Sequence, residues 1–346
     1  MTRDYSIFCR SIVLGATAIL SANGHAQVEP LVVPNQSLSY GQRLPGSVWP
    51  MPAYAQPQGG TLVSFKSPQE GAPEFAVKGV LFKPSGAAKG AVVIVNAADG
   101  WSDAREGHYA RSISSAGYAV LAIDTYGPRG VTQASSDNTT ITTYEQARDA
   151  FAAKRYLVSL GYPADRIAVM GAGRGGTIAL LAADRTFLGR EEKDRFAVAI
   201  AVGAACFLHP RQPKPSANVF IAIGDKDQIT GVKPCQELAQ EYAAVGGKST
   251  VKVYPGATSG FDGDPVNRAM FRFPRTETFV NCNVVVEPDG TSVYEGKSFA
   301  ETNSSALFVE MRKSCIKVGV SGYTNVTQKA NVTLDLIDFL DANLLR

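Results

Sequence analysis

Short apolar runs alternate with stretches of helical period along most of this chain. The unbroken runs are 91–95, 118–124, 167–170, 196–202 and 219–224, with 251–254 continuing the series. Such runs predict strands buried on both faces of a parallel sheet. Between them, 107–116, 144–160, the stretch after Gly173 and 235–245 read as helices, and 334–345 closes the chain as an amphipathic helix. Residues 61–65 and 75–82 predict two further strands around a turn that carries Pro and Gly. Strands alternating with helices predict a mostly parallel, doubly wound α/β sheet flanked by helices.

Two regions break that rhythm. Residues 27–60 are rich in Pro, Gly, Ser and Gln and read as an irregular arm. The second region, about 273–320, holds Cys282, a turn at Pro288, Asp289 and Gly290, and Cys315. It reads as an insertion before the last helix, within a single domain spanning 61–346. The first 26 residues differ again. Arg3 and Arg10 flank a polar start, 11–20 is apolar, and 21–26 is small and polar, ending at Ala26. That pattern predicts a signal peptide cut after Ala26, and a secreted or periplasmic protein. The apolar core is too short to span a membrane, and no later run is long enough.

Composition changes the picture only at the cysteines. Of 346 residues, 45% are hydrophobic and 19% charged, with a net charge of +3. No Lys/Arg stripe with interleaved aromatics is present, which argues against a nucleic-acid partner. Removal of the leader takes Cys9 and leaves Cys206, Cys235, Cys282 and Cys315. In an oxidising compartment this predicts two disulfides. Three connectivities are open, and proximity in sequence favours Cys206–Cys235 with Cys282–Cys315. No Cys or His spacing predicts a zinc site.

The candidate chemistry centres on 167–180. A buried strand ends in Gly171, Ala172, Gly173, Arg174 and Gly175, and a helical stretch follows. Strand, glycine turn and helix form the layout of a nucleophile elbow, G-x-S-x-G. Glycine stands where the attacking residue belongs.

Four stretches carry a resemblance: G-Y-A-V-L-A-I-D-T-Y-G-P-R-G (117–130), D-R-I-A-V-M-G-A-G-R-G-G (165–176), I-A-I-G-D-K-D (221–227) and V-Y-P-G-A-T-S-G-F-D (253–262). Together they resemble the dienelactone hydrolase family of the α/β-hydrolase fold. The resemblance implies a hydrolase of ester or lactone bonds with a nucleophile, an acid and a histidine. It places the nucleophile at Gly173, the acid at Asp227 and the histidine at Ser259. Serine does not titrate near neutrality and cannot replace histidine as proton shuttle. Oxyanion-hole donors are backbone N–H groups, so Arg174 with Ala97 or Ala98 remain candidates. Arg129 is a candidate cation for a carboxylate ligand, with a structural ion pair as the rival reading.

The expectation is therefore a family member without triad chemistry, needing no cofactor. It would keep a pocket for a small ester, lactone or carboxylate, or serve as a scaffold. The alternative is an active hydrolase with a displaced nucleophile, Cys206 with His209 as base. His108 reads as a solvent-facing or pocket-rim residue. Asp225, Asp227, Asp262 and Asp264 are explained by turn chemistry rather than by a metal.

Overall fold

The computed structural model describes residues 60–69, 72–186, 195–265 and 269–345. The expected signal peptide and nearly all of the expected arm lie outside the described residues. One eight-stranded sheet organises the rest. Its strands are β1 (Gly60–Gln69), β2 (Ala72–Phe82), β3 (Ala91–Val95), β4 (Ala119–Asp124), β5 (Ile167–Ala172), β6 (Val198–Val202), β8 (Asn218–Lys226) and β9 (Ser249–Thr258). Their spatial order is β1-β2-β4-β3-β5-β6-β8-β9. β1 and β2 run antiparallel at one edge, and every pairing from β4 to β9 is parallel. The central strands are unbroken Val, Ile and Ala runs because both faces are covered.

Helices α1 (His108–Ser115), α2 (Thr143–Ser159), α3 (Arg174–Ala183), α4 (Val232–Ala244), α5 (Ser304–Ser314) and α6 (Val326–Asn343) supply most of that cover. Val93 and Val95 face α2 and α3, while Val92 and Ile94 face α1 and α6. α2 begins with a capping box in which Thr142 and Glu145 satisfy each other's backbone N–H. Two boundaries differ from expectation. A π-helical turn, Asp103–Gly107, precedes α1. α6 starts at Val326 instead of residue 334, capped by the Asn325 side chain on the Gln328 N–H. Two of the buried positions in its first turns are the polar Lys329 and Thr333, so hydropathy shows no period there.

The insertion has its own architecture. β10 (Phe271–Thr278) pairs antiparallel with β14 (Lys317–Gly322). β11 (Val284–Val286), β12 (Ser292–Tyr294) and β13 (Lys297–Phe299) form a small sheet that grows from β7 (Leu208–Pro210), the short strand after β6. Both disulfides form as expected. Cys206–Cys235 ties the segment before β7 to α4, and Cys282–Cys315 closes the insertion on itself. Among the described residues no helix is long and apolar enough to cross a membrane.

Candidate functional site

The elbow is built by backbone packing. A Cβ on Gly171 would lie 2.2 Å from the carbonyl carbon of Gly175, and one on Gly175 would lie 2.2 Å from the Val95 oxygen. Only glycine lets β5, β3 and α3 approach so closely. Gly173 is different. It has φ 51° and ψ −121°, a strained conformation for any residue with a side chain. Its N–H donates to the Val202 carbonyl (2.8 Å). A Cβ there would meet only the Ala97 methyl, at 3.7 Å. The turn that would aim a nucleophile is intact, and the space for one is open.

Asp227 follows β8, and Ser259 follows β9. The Asp227 Oδ1 accepts from the N–H groups of Ile229 (2.9 Å) and Thr230 (2.8 Å). The Ser259 hydroxyl is buried, accepts from the Gln228 N–H (2.9 Å), and hydrogen-bonds Asp227. Burial pushes the Asp227 carboxyl up from its ordinary value, and the Thr230, Gly231 and Ile229 N–H groups and Ser259 only partly offset it. The structure thus brings the acid and histidine positions together. Gly173 and Asp227 line one pocket. Ser259 does not line that pocket; its hydroxyl fastens the Asp227 turn.

Several candidate residues prove to be otherwise engaged. The Ala97 N–H donates to Glu106 Oε1 (3.2 Å), so it is not free for an oxyanion. Ala98 remains on the pocket wall. The Arg174 N–H lies in the first turn of α3, where helix geometry supplies no acceptor. Its side chain, however, is buried against the loop before α2, donating to Gln146 Oε1 (2.7 Å), Asn138 Oδ1 (2.7 Å) and the Ile141 carbonyl. Arg129 is not a ligand cation. It pairs with buried Asp149 (2.6 and 3.1 Å), donates to the Thr125 carbonyl and lies over the Phe75 ring.

The Cys206–His209 alternative fails on geometry. Cys206 is held in a disulfide, and His209 Nδ1 faces Glu241 (2.9 Å). His108 sits between α1 and α6, its Nε2 3.1 Å from the Thr333 hydroxyl. Burial pulls its pKa down to about 4. Neither histidine lines the pocket. Among the described residues no group of three or more His, Cys, Asp or Glu side chains is placed to hold a metal.

The pocket encloses about 780 Å³ including its open mouth. Several of its working residues were not visible in the sequence. On the floor, Arg105 is buried between Asp99 and Glu106, and the Tyr109 hydroxyl donates to Asp262 (3.0 Å). Below it Lys329 donates to the carbonyls of Ala104 (2.5 Å) and Gly263 (2.7 Å), and burial pulls its pKa down to about 8. At the roof, Glu277 accepts from Asn138 Nδ2 (2.6 Å) and Arg312 Nε (2.5 Å). An aromatic wall completes the enclosure. Phe207 stacks on Phe279 (centroids 4.9 Å apart), and Phe308 meets both edge-on at 6.1 Å. Phe279 and Phe308 come from the insertion. Tyr109 and Asp262 are 153 residues apart in sequence, and only the tertiary fold joins them.

The dienelactone hydrolase family matches residues 77–269 of the chain. No curated protein matches it. Among solved structures, the apo form of Thermogutta terrifontis esterase 2 is 16% identical, with a TM-score of 0.48, over 62% of this chain and 89% of the other. MGS-M1, an α/β hydrolase from a Medee basin deep-sea metagenome library, is 17% identical, with a TM-score of 0.45, over 59% and 85%.

Proposed function

The chain belongs to the dienelactone hydrolase family, and from that premise we propose that it is a non-hydrolytic member whose pocket binds a small molecule. One observation carries the reading: an elbow in nucleophile geometry opens on a pocket and presents glycine there. Acyl transfer needs an attacking atom and a base to deprotonate it. Gly173 supplies no atom, and among the described residues no histidine lines the pocket. Ser259 is spent on the Asp227 turn. The pocket hydroxyls offer no substitute pair. Thr177 Oγ1, for example, is bonded to both the N–H and the carbonyl of Ala205.

Backbone donors at Ala98 and Arg174 leave a polar end for a ligand oxygen. Export is part of the same proposal. A leader cut after Ala26 delivers the chain to an oxidising compartment, which suits two structural disulfides.

The test is ester turnover by the purified, oxidised protein. Phenyl acetate and a small lactone are expected to show no hydrolysis above a buffer blank. Gly173→Ser with Ser259→His is expected to introduce measurable esterase activity. Turnover by the unaltered chain would sink the proposal.

A further inference from the structure

The pocket wall carries a charge imbalance. Two arginines, Arg105 and Arg174, and three carboxylates, Asp227, Asp262 and Glu277, line it. Both arginines are already engaged, Arg105 by Asp99 and Glu106 and Arg174 by the loop before α2. Glu277 has Arg312. Asp262 has the Tyr109 hydroxyl and lies near Lys329. Asp227 has only backbone N–H groups and the Ser259 hydroxyl, with no cation in contact among the described residues. In the triad that the family builds, a histidine next to this acid would take up positive charge. With serine there, the carboxylate lacks its cationic partner. An ionised carboxylate in such surroundings is costly unless a cation joins it.

The aromatic wall stands beside that carboxylate. The Phe279 N–H donates to the carbonyl of Ile229 (2.6 Å), two residues after Asp227. This bond fixes the insertion against the acid turn, with Phe207 and Phe308 packed on Phe279. Phenyl faces attract cations and bury apolar surface at once. The roof adds a third observation. Thr276 Oγ1 lies in the same pocket, is buried, and has no hydrogen-bond partner among the described residues. A buried hydroxyl without a partner calls for a ligand polar group.

We infer that the pocket receives a small organic cation, an ammonium group carried on an apolar ring, paired with Asp227 beside the Phe207–Phe279–Phe308 wall. This rests on the reading of a pocket that binds without hydrolysing. It reverses the ligand charge expected from the sequence, where Arg129 suggested a carboxylate. Arg129 is closed off by Asp149, and among the described residues both arginines that line the pocket, Arg105 and Arg174, are already engaged.

Three probes of one shape test it by titration calorimetry on the full chain with both disulfides formed: benzylammonium, benzyl alcohol and benzoate. Benzylammonium is expected to bind at least about tenfold more tightly than benzyl alcohol, with benzoate weakest. Asp227→Asn keeps an acceptor for the backbone N–H groups and removes the charge. It is expected to erase the preference while benzyl alcohol still binds. Ser259→His supplies an internal cation and is expected to weaken benzylammonium binding by a similar factor, which keeps the test decisive if the Asn variant does not fold. Benzoate binding as tightly as benzylammonium, a preference that survives both substitutions, or no binding of any probe overturns the cation assignment. If those results come with no ester turnover, the non-hydrolytic reading stands without it. Turnover of phenyl acetate overturns that reading instead.

Discussion

The floor and the roof of the pocket hold their shape by different means. The floor is the elbow, set by interlocked backbones of β3, β5 and α3, where Gly171 and Gly175 leave no room for a methyl group. The roof is the insertion, held by side chains: a cluster of three phenylalanines, the Glu277–Arg312 pair and the Cys282–Cys315 bridge. The floor therefore needs no side chain at its centre: a Cβ on Gly173 would touch only the Ala97 methyl, at 3.7 Å. The roof carries the features that a ligand would meet. Glycine at the centre of the elbow and a shaped pocket above it are compatible for this reason.

Gly175→Ala should separate the two regions most strongly. The added Cβ would press on backbone atoms of Val95 and Asn96 in the middle of the sheet, which cannot shift cheaply. A loss of at least about 4 kcal/mol, or no folded protein, is expected in urea unfolding. The same change at Gly173 meets no packing obstacle and costs only the positive φ, about 1–2 kcal/mol. Equal losses at the two glycines would show that the floor does not depend on backbone approach.

The roof is tested next. Replacing Cys282 and Cys315 with serine opens a bridge that spans 33 residues. A loss of about 3 kcal/mol is expected from chain entropy, with benzylammonium affinity falling along with it. Unchanged affinity would detach the insertion from ligand binding.

The smallest effect belongs to Asp227→Asn, and its sign is informative. Burial raises the folded-state pKa of Asp227 above its ordinary value. Its contribution to stability is then full below the ordinary carboxylate range and is lost as pH rises through the raised value. The Asn variant does not suffer that loss. Its melting temperature is expected to exceed that of the parent near neutrality and to lose this advantage in acid. A variant less stable than the parent at pH 7 would mean that the carboxylate stabilises the turn when ionised. On the expected outcome Asp227 destabilises the free protein and secures the ligand, a trade common at binding sites.

Much of the central fold was legible in the sequence. Runs such as Ala91–Val95 and Ile167–Ala172 are apolar throughout because the sheet is covered on both faces, and that pattern is local. The elbow was legible too, since its glycines mark a tight turn between a strand and a helix. The disulfides followed from sequence proximity. α6 was read as starting late because the buried positions of its first turns include the polar Lys329 and Thr333, which hide the period from hydropathy.

Which residues occupy the pocket wall, and with whom each charge is paired, depends on contacts between distant segments. Arg129 looked available in sequence, and Asp149 on α2 claims it. Ala97 looked like a donor until Glu106 was found on its N–H. The aromatic wall joins Phe207 to Phe279 and Phe308 across two disulfide-bridged segments. Periodicity records which side of an element is buried, since burial acts residue by residue along the chain. It does not record which distant group shares that burial. Pairing energies act between residues far apart in sequence, so the elbow was readable as a motif while the charge left over at Asp227 was not.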